Sequence, residues 1–273
     1  MREHRLNHVG SYAVLTVFTL FFALPIYWTV ISAFKPLQEL FTWPPLLWPN
    51  HFTIKNFIVV LRSTDFVRYF LNSTFVTITS TIITLFLSLT SGYALAKFKF
   101  RGSTFILILI LGTIMFPLEV IMIPMFQVLK DLHLYNSLWG IIIPPAATPT
   151  GVFLMRQYLL SIPNDLLEAA RIDGASEWWI FLRIITPLAK PAIAVLAIFS
   201  FMWRWNDYLW PLLVISNPHK YTLGLAIANY AGEFSVNWTS LLAMTVITMI
   251  PVIVVFLSLQ RFIVKGLFLS GMK

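Results

Sequence analysis

Few residues in this sequence could do chemistry, and they are unevenly placed. Asp165, Glu168, Arg171, Asp173, Glu177, Arg183 and Lys190 all fall in PNDLLEAARIDGASEWWIFLRIITPLAKP, residues 163–191, of a chain whose charged fraction is only 11%. Elsewhere Glu119, Arg204 and Asp207 interrupt runs that are otherwise apolar. An ionised side chain at the centre of a bilayer costs about 2.5–3.5 kcal/mol on insertion scales, so it usually faces a partner or a wet cavity. What is missing narrows the chemistry further. There is no Cys, which removes thiolates, disulfides and Cys-based metal sites. No G-x-x-x-x-G-K-[ST] stretch is present to cradle phosphates, so no ATP hydrolysis is expected of this chain. None of the five His (His4, His8, His51, His133, His219) falls in the middle of an apolar run, and no metal site or catalytic residue is expected.

The elements that must position these residues are membrane spans. The chain is 58% hydrophobic and 16% aromatic, with a mean hydropathy of +0.81. Charge-free runs of 18 or more apolar residues are the mark of a chain that crosses a bilayer. Residues 11–34, 69–96, 132–155 and 234–260 avoid Asp, Glu, Lys and Arg, and each can cross about 30 Å of hydrocarbon. Residues 102–129 and 191–214 are equally apolar apart from Glu119 in the first and Arg204 with Asp207 in the second. The expectation is an all-α integral membrane protein with six transmembrane helices: an N-terminal tail at 1–10, one membrane domain at 11–263, and a C-terminal tail at 264–273. The first apolar run is too long for a signal peptide and is expected to be a retained helix.

Charge sets the direction. With the N-terminus inside, the inner segments hold Arg2, Arg5, Lys97, Lys99, Arg101, Arg156, Arg171, Arg183, Lys190, Arg261, Lys265 and Lys273, against Lys35, Lys55, Arg62, Arg68, Lys130 and Lys220 outside. The excess inside predicts that both termini and the polar stretch at 163–191 are cytoplasmic. It also accounts for the +8 formal charge without any nucleic-acid partner. The long outer segment after residue 35 carries Phe41, Trp43 and Trp48, aromatic types suited to the headgroup level of membrane lipid.

Within the polar stretch, Asn164 precedes early acids and strong helix formers, which predicts a helix start with Asn164 as cap. Gly174 ends that helix, and Ser176 with Glu177 can begin another. Ala169 and Ala170 leave the first helix smooth where Glu168 and Arg171 project, a surface suited to another protein's groove. Leu166, Leu167, Trp178 and Trp179 can face back to the membrane domain. An amphipathic pair resting on lipid headgroups has the same periodicity and is not separated from docking by pattern alone.

At these residues the sequence resembles a known family. EAARIDGASEWWIFLRIITP is similar to the EAA loop of binding-protein-dependent ABC importer permeases: Glu168, Ala169, Ala170, Gly174, Ile184 and Pro187 stand at the family's spacing, with Thr186 where Leu is usual. RIDGAS, WRWNDYLWPLL at 203–213 and the tail RFIVKGLFLSGMK resemble the carbohydrate-uptake branch, and within it the smaller permease subunit of maltose-type importers.

The resemblance implies a type I ABC importer permease fold, with residues 161–187 as a cytoplasmic coupling loop whose Glu168, Ala169, Ala170, Asp173 and Gly174 meet an ATPase. It implies a second homologous permease as heterodimer partner, two cytoplasmic ATPase subunits that carry ATP and magnesium, and an extracytoplasmic sugar-binding protein. It implies multi-pass residence in the cytoplasmic (inner) membrane of a bacterium or archaeon, moving a sugar or oligosaccharide by alternating access. Residues 216–238 are similar to the loop that enters the binding protein and displaces the sugar, with Asn229, Tyr230 and Gly232 at its heart; the alternative is a loop that only packs on the permease's outer face. Glu119, Asn206 and Asp207 are candidates for the substrate path. For Glu119 the competing reading is a structural pair with Arg204; Trp210, beside Asn206 and Asp207, is expected to be an interfacial belt residue. A glycerol-phosphate or polyol importer of the same branch is the alternative function. A polytopic membrane transferase would need clustered His or carboxylates that the sequence does not offer.

Overall fold

A computed structural model of the chain describes residues 2–232 and 236–270. The first residues of the expected sixth span, part of the expected scoop loop (233–235), and the last three residues of the expected C-terminal tail lie outside them. Among the described residues the regular structure is helical. The helices are α1 (Arg2–Ala33), α2 (Leu37–Leu40), α3 (Lys55–Arg62), α4 (Thr64–Lys97), α5 (Ser103–Ile114), α6 (Leu118–Asp131), α7 (Leu138–Ile142), α8 (Pro149–Leu160), α9 (Asp165–Ile172), α10 (Glu177–Ile180), α11 (Thr186–Leu188), α12 (Lys190–Asn206), α13 (Leu209–Val214), α14 (Leu223–Gly232) and α15 (Trp238–Ser270). By length and composition they supply up to six membrane crossings, three of them single long helices, in α1, α4 and α15.

The other expected spans are interrupted, each for a local reason. The run at 102–129 is α5 and α6, bent by 108° at residues 115–117. Pro117 lacks a donor and keeps the residue before it from continuing a helix. Pro124, inside α6, is carried through. The run at 132–155 does not begin as helix at 132: His133 and Asn136 take positive φ of 56° and 55°, and α7 starts only after Ser137, whose hydroxyl accepts from the Trp139 amide. Pro144, Pro145 and Pro149 then separate α7 from α8 through a 3₁₀ turn. The run at 191–214 breaks into α12 and α13 at Asp207 and Tyr208.

Two compact units are present. The first comprises Met1–Val67 with Ile227–Ile250. In it the stretch after α1 folds around buried polar groups. Lys35 is 1% exposed, and its Nζ donates to the Leu46 carbonyl at 2.5 Å and lies 4.3 Å from the Trp28 ring centroid. Burial pushes the Lys35 ammonium pKa down, against the opposing charge of Glu39. The Glu39 carboxylate accepts the Asn50 amide at 2.9 Å, the His51 amide at 3.0 Å and His51 Nδ1 at 2.7 Å. Asn56 Nδ2 closes the arrangement on the Ala33 and Lys35 carbonyls. Phe41, Trp43 and Trp48 project from this framework, Trp43 with 90% of its surface exposed.

The second unit, Arg68–Ala226 with Pro251–Lys273, holds the larger core. One cluster gathers Leu89, Tyr93, Met155, Leu159, Ile180, Ile185 and Leu196; another gathers Val76, Met122, Leu129, Ile142, Trp210 and Val214. Between the apolar residues of α4 runs a buried hydroxyl row, Ser73, Thr77, Thr81, Thr84 and Ser88, spaced at three and four residues so that it occupies one face, with Ser80 buried beside it. Small side chains let helices approach closely in a membrane. At Gly151 of α8 an added Cβ would stand 2.4 Å from Ser88 Oγ and 2.6 Å from Thr148 Oγ1, which leaves room for glycine alone.

Candidate functional site

The polar stretch forms a helix, a left-handed turn and a second helix, as its pattern predicts. Asp165 and Glu168 lie in the first turn of α9, where negative charge favours the exposed amides. Asn164 does not cap with its side chain. Its Oδ1 instead accepts from Lys97 Nζ at 2.9 Å, and the same ammonium takes the Ile162 carbonyl at 2.5 Å. A cation at the end of α4 therefore holds the entry to α9.

The turn at Gly174 has φ +80°. The Gly174 amide bonds the Arg171 carbonyl and the Ala175 amide bonds the Ala170 carbonyl, each at 3.0 Å, the paired bonds of a Schellman ending. A Cβ on Gly174 would touch nothing within 4 Å, so glycine is required there by conformation and not by space. Ser176 then caps α10, its hydroxyl accepting from the Trp179 amide. The stretch continues as a π-helical turn over Phe181–Ile185.

Leu167, Ala170, Ile180, Phe181 and Ile185 bury themselves against α4, α8 and α12 in the first core cluster. The opposite side is open. Leu166, Ala169, Asp173, Gly174, Ser176 and Trp179 line a groove of about 750 Å³, with Ile172 beside it 86% exposed. Of the apolar residues expected to face the membrane domain, only Leu167 does so; Leu166, Trp178 and Trp179 are exposed, Leu166 because it lies a helical step round α9 from the buried Leu167. Both charges expected to project, Glu168 and Arg171, are exposed, and Arg171 is also paired within the chain. Its Nε donates to Glu177 Oε1 at 2.6 Å, and Glu177 Oε2 accepts from the Tyr93 hydroxyl at 3.1 Å. The hydrogen bond with Glu177 raises the Arg171 pKa above its ordinary value, and the same bond lowers that of Glu177. Arg171 and Glu177 are six residues apart across a glycine turn, a separation that carries no helical signal. Tyr93 belongs to a helix distant in sequence. Nothing in the pattern points to this triad.

The substrate-path candidates do not converge on one cluster. Glu119 lies in the first turn of α6, exposed at the corner after α5. It does not pair with Arg204. The Arg204 guanidinium instead donates from Nη2 to Thr84 Oγ1 at 3.1 Å and to the Pro145 carbonyl, while Thr84 donates to the Ala146 carbonyl at 2.8 Å. These donors satisfy backbone freed where prolines break the helix. Asn206 bonds back to the Met202 carbonyl at 2.8 Å and is exposed. Asp207 Oδ1 accepts from the Trp210 amide at 3.3 Å, capping α13. Trp210 is not an interfacial belt residue: it is 2% exposed and its indole donates to the Gly140 carbonyl at 3.1 Å.

The stretch after residue 216 is less a loop than its composition suggests. Asn136 Oδ1 accepts the Ser216 and Asn217 amides, and its carbonyl accepts Lys220 Nζ at 2.6 Å. Asn72 Nδ2 bonds the His219 and Tyr221 carbonyls, and Ser73 Oγ accepts the Leu223 amide at 2.7 Å. α14 follows in the chain, with Asn229 and Gly232 exposed and Tyr230 half-buried.

Comparison with known proteins places the chain among transport permeases. Residues 88–268 match the family described as "Binding-protein-dependent transport system inner membrane component". The chain is 34% identical over 279 residues to the arabinooligosaccharides transport system permease protein AraQ of Bacillus subtilis, covering 98% of this chain and 99% of that one. It is 34% identical over 270 residues to the sn-glycerol-3-phosphate transport system permease protein UgpE of Yersinia pestis bv. Antiqua, covering 95% of each. Among solved structures it superposes with a TM-score of 0.87 and 27% identity on a chain of a bacterial ABC transporter involved in the import of the acidic polysaccharide alginate, covering 96% of this chain and 98% of that one.

Proposed function

The chain belongs to the binding-protein-dependent transport system inner membrane components, as a multi-pass permease subunit of an ABC importer with the type I importer fold, and from that premise we propose that its cargo is a sugar or oligosaccharide delivered by an extracytoplasmic binding protein. The full-length likeness to AraQ supports a carbohydrate. A glycerol-phosphate cargo is the second reading, favoured by the comparable likeness to UgpE.

In this reading the groove along α9 and α10 receives a cytoplasmic ATPase subunit. Glu168 supplies a fixed negative charge, Ala169 a close-fitting surface, Ala170 behind it the packing that seats α9 on the core, Asp173 a second carboxylate, and Gly174 the turn that exposes them. The observation that carries it is a groove open on one side of a loop whose other side is anchored in the core. A second permease completes the pore, and two ATPase subunits hold ATP and magnesium. The host membrane is the cytoplasmic membrane of a bacterium or archaeon, with both termini and the 161–187 loop inside. ATP-driven closure draws the docking loops together and opens the cavity outward. Glu119, Asn206 and Asp207 are the candidates for lining that cavity. The helix that carries Asn229, Tyr230 and Gly232 enters the binding protein and displaces the ligand.

Uptake by the reconstituted importer tests the cargo. Neutral oligosaccharides are expected to compete with one another and glycerol phosphate to leave uptake unchanged; competition by the phosphorylated ligand alone would overturn the carbohydrate reading.

A further inference from the structure

We propose that Glu177 links the docking helix α9 to α4, so that movement of α9 is delivered to the second span as well as to the two spans that the loop joins covalently. The inference rests on the docking reading above and names the residues through which docking is transmitted.

Residues 161–189 are continuous only with α8 and α12. A push on α9 reaches those helices through the chain itself, but it reaches α4 only through side chains. Beside the packing of Leu167 and Ala170, one carboxylate makes a directional connection at the far end of α9. Glu177 Oε1 takes Arg171 Nε from α9 at 2.6 Å, and Oε2 takes the Tyr93 hydroxyl from α4 at 3.1 Å. Each oxygen therefore serves a different element. Bonds to an ionised group are shorter and stronger than neutral ones, which suits a strut that must not slip.

The partners are also held. Tyr93 is 6% exposed, its ring 5.3 Å from that of Phe98 and 5.5 Å from that of Phe181. The Arg171 guanidinium, though 38% exposed, also lies 5.9 Å from the Phe98 ring centroid, a second contact at this end of α9. One turn further along α4, Lys97 grips the entry to α9 through the Ile162 carbonyl and Asn164. The end of α4 thus holds the docking helix at both of its ends, by Lys97 before it and by Tyr93 and Glu177 after it.

The test uses the importer reconstituted with its partner permease, ATPase subunits and binding protein, in Tyr93→Phe, Glu177→Gln and Glu177→Ala. ATPase subunits are expected to remain bound and to hydrolyse ATP, while substrate taken up per ATP falls roughly threefold to tenfold, the range typical of residues that carry coupling. Tyr93→Phe and Glu177→Gln combined should lose less than the product of their separate losses, because both cut one connection. The exchange Arg171→Glu with Glu177→Arg should recover part of the ratio. Spin labels on Ile172→Cys and Phe100→Cys, in a chain that has no Cys of its own, should keep one separation through the ATP cycle in the native background and spread apart in Glu177→Ala. Native uptake per ATP in both Tyr93→Phe and Glu177→Ala would overturn the proposal, as would a loss of uptake that only follows loss of bound ATPase. Should Glu168→Lys and Gly174→Val leave the ATPase bound at native levels, the docking reading itself is what fails.

Discussion

Arg204 of α12 and Thr84 of α4 are joined by a 3.1 Å hydrogen bond inside the second unit, and the same guanidinium nitrogen reaches the Pro145 carbonyl at the break before α8. An arginine that looks in sequence like an ion-pair partner or an anion receptor is thus spent on backbone. Replacing it by Leu leaves a buried carbonyl without that donor, at a cost of about 1–3 kcal/mol. Thermal unfolding of the detergent-solubilised protein should shift down accordingly, with Lys restoring part of the loss. The relative uptake of neutral and phosphorylated ligands should not change; a switch in that preference would show that the guanidinium faces cargo.

Gly174→Val places a β-branched residue at φ +80°, a conformation that costs a residue with a Cβ about 1–2 kcal/mol. The Schellman ending should open and the groove lose its shape. Together with Glu168→Lys, which reverses the exposed charge of α9, it is expected to abolish transport and to lower co-purifying ATPase by at least roughly tenfold, the equivalent of 1.4 kcal/mol. Membrane insertion should be unaffected in both.

The chain has no Cys, so single replacements report topology directly. Cys at residue 100 or 175 should react with a membrane-impermeant thiol reagent only from the cytoplasmic side. Cys at residue 50 or 220 should react only from outside. The opposite pattern would reverse the orientation and with it the docking assignment.

Glu39 ties the stretch between α2 and α3 together. Burial acts to raise its pKa, but the hydrogen bonds from the His51 ring and the Asn50 and His51 amides outweigh it and hold the group below its ordinary value of 4.5. A carboxylate lowered by folding stabilises the fold above its unfolded pKa, and that contribution is lost as pH falls through the folded one. Limited proteolysis between residues 40 and 55 should therefore be slow near neutrality and accelerate below pH 4.5. In Glu39→Gln it should be fast at both, and a native pH profile in that variant would contradict the assignment.

Shortening residues 228–232 removes the exposed end of α14 while leaving its base, stitched to Asn136, Asn72 and Ser73, in place. ATPase assembly and basal hydrolysis should persist. Sugar release from the docked binding protein, followed by fluorescence of a labelled ligand, should slow several-fold, roughly a 1 kcal/mol effect. Unchanged release and transport would rule out a scoop role.

Much of the candidate site can be read without coordinates because its signals are local. The helix start near Asn164, the Gly174 turn and the Ser176 cap depend on residues within a few positions of one another, and the structure forms all three elements. The exception within the loop is instructive: Asn164 has the composition of a cap, yet a lysine 67 residues away claims its oxygen. The corner before Glu119 follows from Pro117, but neither its 108° bend nor the failure of Glu119 and Arg204 to meet does. Both depend on what the neighbouring helices leave open.

By itself the sequence determined membrane residence, the number of apolar runs and the helix, glycine and helix order of the polar loop, since hydropathy and backbone preference are properties of consecutive residues. Only the tertiary structure decided where the polar side chains point. At the surface it set Arg171 on Glu177, and inside it set Arg204 on Pro145 and Trp210 on Gly140. The reason is the cost of an unpaired polar group away from water: each such group takes whichever donor or acceptor packing brings within reach, and packing joins residues that the sequence keeps far apart.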